Sequence, residues 1–144
     1  MNKYSQHITI FVIVFIATFT FGGCNKNDDP ASVKTKNLLT SGVWKISKVT
    51  VDGVDKTDEF EGFTLQFTDD TFTSVHGNVV WPASDTWGFT DNTAKVFQRG
   101  DEVTVTIQTI SSTKLVLALV WSKTTLGSGR SASISGDYVL EFTK

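Results

Sequence analysis

The chain has 144 residues, with 13 Lys+Arg against 15 Asp+Glu, a formal net charge of −2 and 40% hydrophobic residues. One domain of ordinary size accommodates these totals, and a charge near zero gives no basic face of the kind nucleic-acid binding draws on. A single cysteine excludes a disulfide framework and a Cys-rich zinc site, and two prolines with so many apolar residues are wrong for a disordered chain.

In chain order, Met1 to His7 is short and polar and carries Lys3, as the positive n-region of a secretory signal does. From Ile8 to Phe21 only Thr9, Thr18 and Thr20 are polar, which makes an apolar h-region. As a helix these fourteen residues would span roughly 21 Å, short of the ~30 Å hydrocarbon core, and no Lys/Arg cluster follows to stop transfer. Phe21-Gly22-Gly23-Cys24 resembles the lipobox of bacterial lipoproteins. The resemblance implies cleavage before Cys24, which would carry a diacylglyceryl group and an N-acyl chain of the palmitate class. This also accounts for the position of the only cysteine; a catalytic thiol would need a pocket and a neighbouring base. Loss of residues 1–23 removes Lys3 alone among the charges, leaving 12 basic against 15 acidic residues and a net charge of −3. Residues 24–36, polar and interrupted by Pro30, read as a tether, and residues 37–144 as the folded domain. Asp28 and Asp29 resemble the acidic tracts that send lipoproteins to the cell surface in some Gram-negative groups. The expected location is the outer membrane, with the domain at the cell surface or otherwise facing the periplasm.

After residue 40 the dominant pattern is alternation. Phe63, Leu65 and Phe67 share one face; so do Val103, Val105 and Ile107, and Tyr138, Leu140 and Phe142. Threonine fills many opposite positions, where its branched Cβ suits a pleated surface and its hydroxyl meets water. Turn residues at Asp69-Asp70, His76-Gly77-Asn78, Asp91-Asn92, Gly100-Asp101 and Ser111-Ser112 separate the runs. They predict eight strands at about 43–51, 63–68, 71–75, 86–90, 94–99, 102–109, 113–122 and 136–143. Tight turns favour up-and-down antiparallel neighbours, and closure into a small barrel removes both exposed edges. A two-sheet sandwich shares the alternation but needs more long connections than the two present, near 52–62 and 123–135.

Two departures from alternation carry information. Trp44 and Ile46 share a face that Val49 and Val51 do not, so one extra residue near Ser47-Lys48 predicts a bulge. From Leu115 to Trp121 every residue is apolar, so Val116, Ala118 and Val120 on the outer face call for a cover. The segment Val33–Leu39 and the Asp58–Phe60 turn of helix are the expected covers; a patch for a partner or the membrane is the alternative.

Gly42-Val43-Trp44 after a short apolar turn resembles the Gly-x-Trp with which lipocalins open their first strand. The span from Leu38 to Lys144 is similar to the small lipocalin-like domains of Bacteroidetes lipoproteins. The likeness rests on Gly42-Val43-Trp44-Lys45, Val51-Asp52-Gly53-Val54, Trp81-Pro82-Ala83-Ser84 with Thr86-Trp87, and Gly127-Ser128-Gly129-Arg130. It implies that Trp44 packs across the closed end of the barrel and that Arg130 lies over its ring, a cation–π contact worth ~0.5–2 kcal/mol. Thr90-Asp91-Asn92 only partly matches the family's Thr-Asp-Tyr loop, and the chain stops at the eighth strand.

Chemical motifs are sparse. Within the expected mature chain His76 is the only histidine and sits in a turn signal, without a nucleophile elbow, so a surface role is expected. Asp55, Asp58, Glu59 and Glu61 lack the spacing of a calcium loop and suit the start of a short helix. Gly127-Ser128-Gly129-Arg130 lacks the strand–loop–helix context of a phosphate cradle. No catalytic residue, metal or cofactor is expected. The expectation is a lipid-anchored binding protein for a small hydrophobic ligand, held by Phe67, Trp87, Phe89, Leu117, Trp121 and Tyr138 in the barrel or at its open end. The alternative is a non-enzymatic envelope interaction module with a filled barrel.

Overall fold

A computed structural model describes residues 30–122 and 135–144 of the chain. Pro30 precedes helix α1 (Ala31–Leu39). Nine antiparallel strands follow: β1 (Val43–Val51), β2 (Val54–Asp55), β3 (Thr64–Phe67), β4 (Thr71–Val75), β5 (Ser84–Phe89), β6 (Val96–Arg99), β7 (Thr104–Ile110), β8 (Lys114–Trp121) and β9 (Gly136–Thr143). Each strand from β3 to β8 pairs with the next, β1 pairs with β3, and β9 returns to β1. That last pairing closes an eight-stranded up-and-down barrel, the architecture the alternation predicts. Closure leaves the eight barrel strands no open edge.

The ninth strand is an addition. Asp52 (φ 50°) and Gly53 (φ 80°) make a two-residue left-handed turn, and Val54–Asp55 pairs back onto Thr50 and Val51. Asp-Gly between β-branched residues is a strong hairpin signal, because the turn needs positive φ at both positions.

The predicted bulge lies between Ile46 and Lys48, where the β1–β9 register shifts. The extra residue, Ser47, is exposed, while Trp44 and Val49 on either side are fully buried. A second bulge, at Gln108 between Ile107 and Thr109, has no counterpart in the predictions. It shifts the inward positions from Ile107 to Ile110, which pairs with Leu115 and packs against the core, a three-residue step like that at Ser47.

Up-and-down topology places alternate connections at opposite ends. Helix α1 closes one end with the β3–β4, β5–β6 and β7–β8 turns; Lys36 of α1 pairs with Asp69 of the first of these at 3.5 Å. At the other end, here called the mouth, lie the connections 52–63, 76–83 and 100–103. The inward side chains form a continuous aromatic series through the barrel. Phe142 meets Phe63 (5.3 Å), Phe63 meets Trp81 (6.2 Å), Trp81 meets Phe72 (5.5 Å), Phe72 meets Phe67 (6.1 Å) and Phe67 meets Trp87 (5.3 Å).

Two expectations need correction. Residues 31–36, read as tether, are the first turns of α1: no Gly or Pro interrupts them, and Leu39 at the helix end is fully buried. Nor does this segment shelter the outer face of β8. Helix α1 contacts β7 and the 3-10 turn Thr57–Phe60 contacts β1, leaving Val120 65% exposed. Val116 is nonetheless buried, and Ala118 half-buried, within the sheet surface.

Candidate functional site

Trp44 of the Gly-x-Trp motif sits at the closed end of the barrel, beside the end of α1. Trp44 is fully buried and its Nε1–H donates to the Leu39 carbonyl at 2.9 Å, tying β1 to the end of α1. Among the described residues the cation over its ring is Lys144, with Nζ 3.9 Å from the ring centroid. Lys144 Nζ also donates to Leu38 O (3.4 Å) and to Ser41 Oγ, while the Lys144 side chain runs beside Gly42. Burial pulls this ammonium below the usual lysine value. Arg130, expected in this role, lies outside the described residues, as do Cys24, the signal segment and Gly127–Gly129. Lys144 is exposed, so Lys144→Met is expected to cost no more than about 1 kcal/mol in urea unfolding.

The six residues expected to line a ligand cavity divide into two groups. Phe67, Trp87 and Phe89 join Phe97: Phe67 and Trp87 lie 5.8 and 5.6 Å from Phe97, and Phe89 lies 5.1 Å from Trp87. Trp87 Nε1–H donates to the carbonyls of Thr68 and Thr71, both at 3.1 Å, which seats it on the β3–β4 turn. Leu117 is fully buried in mid-strand opposite Ile107 and Leu140. Phe67, Trp87 and Leu117 are core, and Phe89 is half-buried against it. Trp121 and Tyr138 lie nearer the mouth, Tyr138 against Phe60 at 6.2 Å. Burial first, then the carboxylates of Glu59 and Asp52, raise the Tyr138 pKa, so it remains a neutral phenol at ordinary pH.

Between the mouth connections sits a residue the sequence reading did not single out. Arg99, at the end of β6, is 2% exposed and is the one buried charged side chain among the described residues. Its Nε donates to Asp101 Oδ1 at 3.1 Å and its NH2 group to Asp101 Oδ2 at 2.6 Å, a two-point ion pair. Its NH1 group donates to the Val80 carbonyl at 2.9 Å. The guanidinium carbon lies 4.7 Å from the Trp81 ring centroid and 5.9 Å from that of Trp121. Trp81, 1% exposed, comes from the 76–83 connection, which turns down into the barrel instead of arching over it.

Local sequence fixes the Arg99–Asp101 turn. Asp101 Oδ1 also accepts from Val103 N, Asp101 N donates to Asp85 Oδ2 at 2.9 Å, and Gly100 N donates to Thr86 O at 3.0 Å. A Cβ at Gly100 would lie 2.2 Å from Asp85 Oδ1 and 2.6 Å from Thr86 Oγ1. Since Asp85 is held from both sides, Gly100→Ala is expected to cost on the order of 1–3 kcal/mol, read as a fall in the urea midpoint. The 76–83 segment is similarly packed. Ser74 Oγ donates to Pro82 O at 2.8 Å, and a Cβ at Gly77 would lie 2.6 Å from the Trp81 carbonyl oxygen.

Elsewhere the chemistry is local. His76 is exposed, with Nδ1 3.2 Å from the Glu61 carbonyl. Asp55 Oδ1 accepts from Thr57 N and Oγ1 at 2.9 and 2.7 Å, bonds that hold its carboxyl below the usual carboxylate value. Glu59 pairs with Lys56 at 2.8 Å. Among the described residues no group of three or more His, Cys, Asp or Glu side chains is placed to hold a metal ion.

Arg99 was legible in principle. It has the same strand parity as Phe97, and an inward Phe97 requires an inward Arg99. Searches against family models and against curated proteins find no match to this chain.

Proposed function

We propose that this chain is a lipid-anchored, non-catalytic binding protein of lipocalin-like type whose ligand is taken at the mouth of the barrel, not deep within it. The observation that carries the reading is Arg99. A barrel built only for stability would fill this inward position with an aliphatic side chain, whereas Arg99 is a buried cation between two indoles. The aromatic series below it places bulky rings along the path that a long acyl chain would take. Titration of the full chain in detergent, read by tryptophan fluorescence, is expected to respond to small aromatic amphiphiles and to remain silent with dodecanoate. Silence with every compound would overturn the proposal.

The Cys24 lipobox supports an outer-membrane anchor. Cys24 precedes Pro30 by six residues, a reach of at most about 20 Å, so the α1 end faces the bilayer and the mouth faces away from it. Cys24→Ala is expected to abolish labelling by an alkyne fatty acid and to move the protein from the membrane pellet to the soluble fraction. Label retained on the variant would place the lipid elsewhere.

A second reading, a partner surface on β7–β9, draws on the 65% exposure of Val120. Val120 lines a depression of about 730 Å³ with Thr104, Thr106, Ala118 and Val139.

A further inference from the structure

The mouth is already occupied by part of the chain. Val80 and Trp81 are 0% and 1% exposed, although they belong to a connection between strands. They present two things to Arg99: a carbonyl oxygen at 2.9 Å and a flat ring at 4.7 Å. We propose that Val80–Trp81 is an internal stand-in for the ligand, and that the mouth recognises a planar aromatic molecule bearing a neutral carbonyl oxygen, which displaces this segment from Arg99. This inference rests on the mouth-binding reading and names its ligand class.

Donor and acceptor arithmetic gives the class. A guanidinium has five N–H donors, and three hydrogen bonds, two to Asp101 and one to Val80 O, account for three of them. Trp81 Nε1–H is buried with its ring and has no hydrogen-bond partner among the described residues. A ligand that displaces Val80 must therefore bring at least one oxygen lone pair to keep the Arg99 NH1 donor satisfied. The stand-in shows the form of the acceptor. Asp101 already pairs with Arg99 through two oxygens, and the oxygen that Val80 adds is a neutral carbonyl. A ketone, amide or lactone oxygen supplies the same acceptor. The aromatic body follows from Trp81 and Trp121, whose rings lie within 6 Å of the guanidinium carbon.

The stand-in packs on Phe63 and Phe72, contacts that a flat aromatic ligand would replace, and it is not fully satisfied itself. Besides the unpaired indole N–H, the connection carries two non-glycine residues with left-handed backbone, His76 (φ 56°) and Asn78 (φ 57°). Arg99, by contrast, is fixed from its own turn by Asp101 and stays in place when Val80–Trp81 leaves. A preformed cation beneath an exchangeable plug is the arrangement that displacement requires.

The test uses the full chain in detergent with three probes of one size: naphthalene, 2-acetylnaphthalene and 2-naphthoate. The expected result is saturable binding of 2-acetylnaphthalene at least tenfold tighter than either of the others, with increased iodide quenching as Trp81 turns outward. Trp81→Ala removes the competitor and is expected to tighten 2-acetylnaphthalene about tenfold. Arg99→Met combined with Asp101→Asn, which leaves no unpaired charge, is expected to abolish the preference for the ketone. Should that double variant not fold, the Trp81→Ala comparison decides alone. Equal affinity for naphthalene and 2-acetylnaphthalene, or tightest binding of 2-naphthoate, overturns this inference while leaving a mouth ligand in place. No binding of any probe to either the parent or Trp81→Ala overturns both.

Discussion

Trp44→Ala lowers the unfolding free energy by about 3–5 kcal/mol, read as a shift of the urea midpoint with the slope unchanged. The Trp44 side chain is one of the largest that are fully buried, and it closes the barrel from inside β1. Truncation removes its apolar contacts and leaves a cavity that two fixed neighbours prevent from collapsing. The Leu39 carbonyl loses its 2.9 Å donor, and Lys144 loses the ring beneath its ammonium. Trp44→Phe separates these contributions, because it keeps most of the packing and the ring face but removes the N–H. It is expected to cost about 1–2 kcal/mol, the loss of one buried hydrogen bond together with a small void. A parent-like midpoint for Trp44→Ala would mean that α1, and not Trp44, holds this end shut.

The pattern of what could be read from the sequence has a physical cause. Barrel strands have inward and outward faces with a period of two, so β1, β4 and β9 appear at nearly their observed limits. The Ser47 bulge was legible because it interrupts that period between Trp44 and Val49. The Gln108 bulge leaves a similar three-residue step, from Ile107 to Ile110, but at the very end of its strand, where no further inward residue repeats it. Polarity rules hid Arg99: a charged side chain at a strand end is expected in solvent, and only its parity with Phe97 points inward. Lys144 was hidden by distance along the chain, for its place over Trp44 follows from the pairing of β1 with β9, a property of the closed barrel and not of either strand. Trp81 was hidden by its loop, where period-two reasoning does not apply. The candidate site is thus assembled largely from residues that local pattern cannot place, whereas the core that supports it is assembled from residues it can.

Asp101→Ala is the second large effect expected, about 3 kcal/mol of destabilisation, at the lower end of the range for breaking a buried ion pair. The lower end applies because the two partners differ in exposure. The Arg99 side chain is 0% exposed and cannot be rehydrated in place, but that of Asp101 is 24% exposed, so water can enter where the carboxylate stood. The substitution removes both carboxylate contacts to Arg99 and the acceptor for Val103 N, while Val80 O and the two indole faces remain. A cation held only by these is expected to be the weakest point of the mouth, so amide exchange should rise first in residues 76–83 and 100–103. Asp101→Asn keeps an acceptor oxygen without the charge and is expected to lose about 1–2 kcal/mol. Arg99→Met in the Asp101→Asn background should recover part of that loss, since it removes the cation left without its counterion. If Asp101→Ala unfolds at the parent midpoint with unchanged exchange at the mouth, the pair does not hold the 76–83 segment in the barrel. The plug would then be seated by the contacts of Trp81 with Phe63 and Phe72 alone.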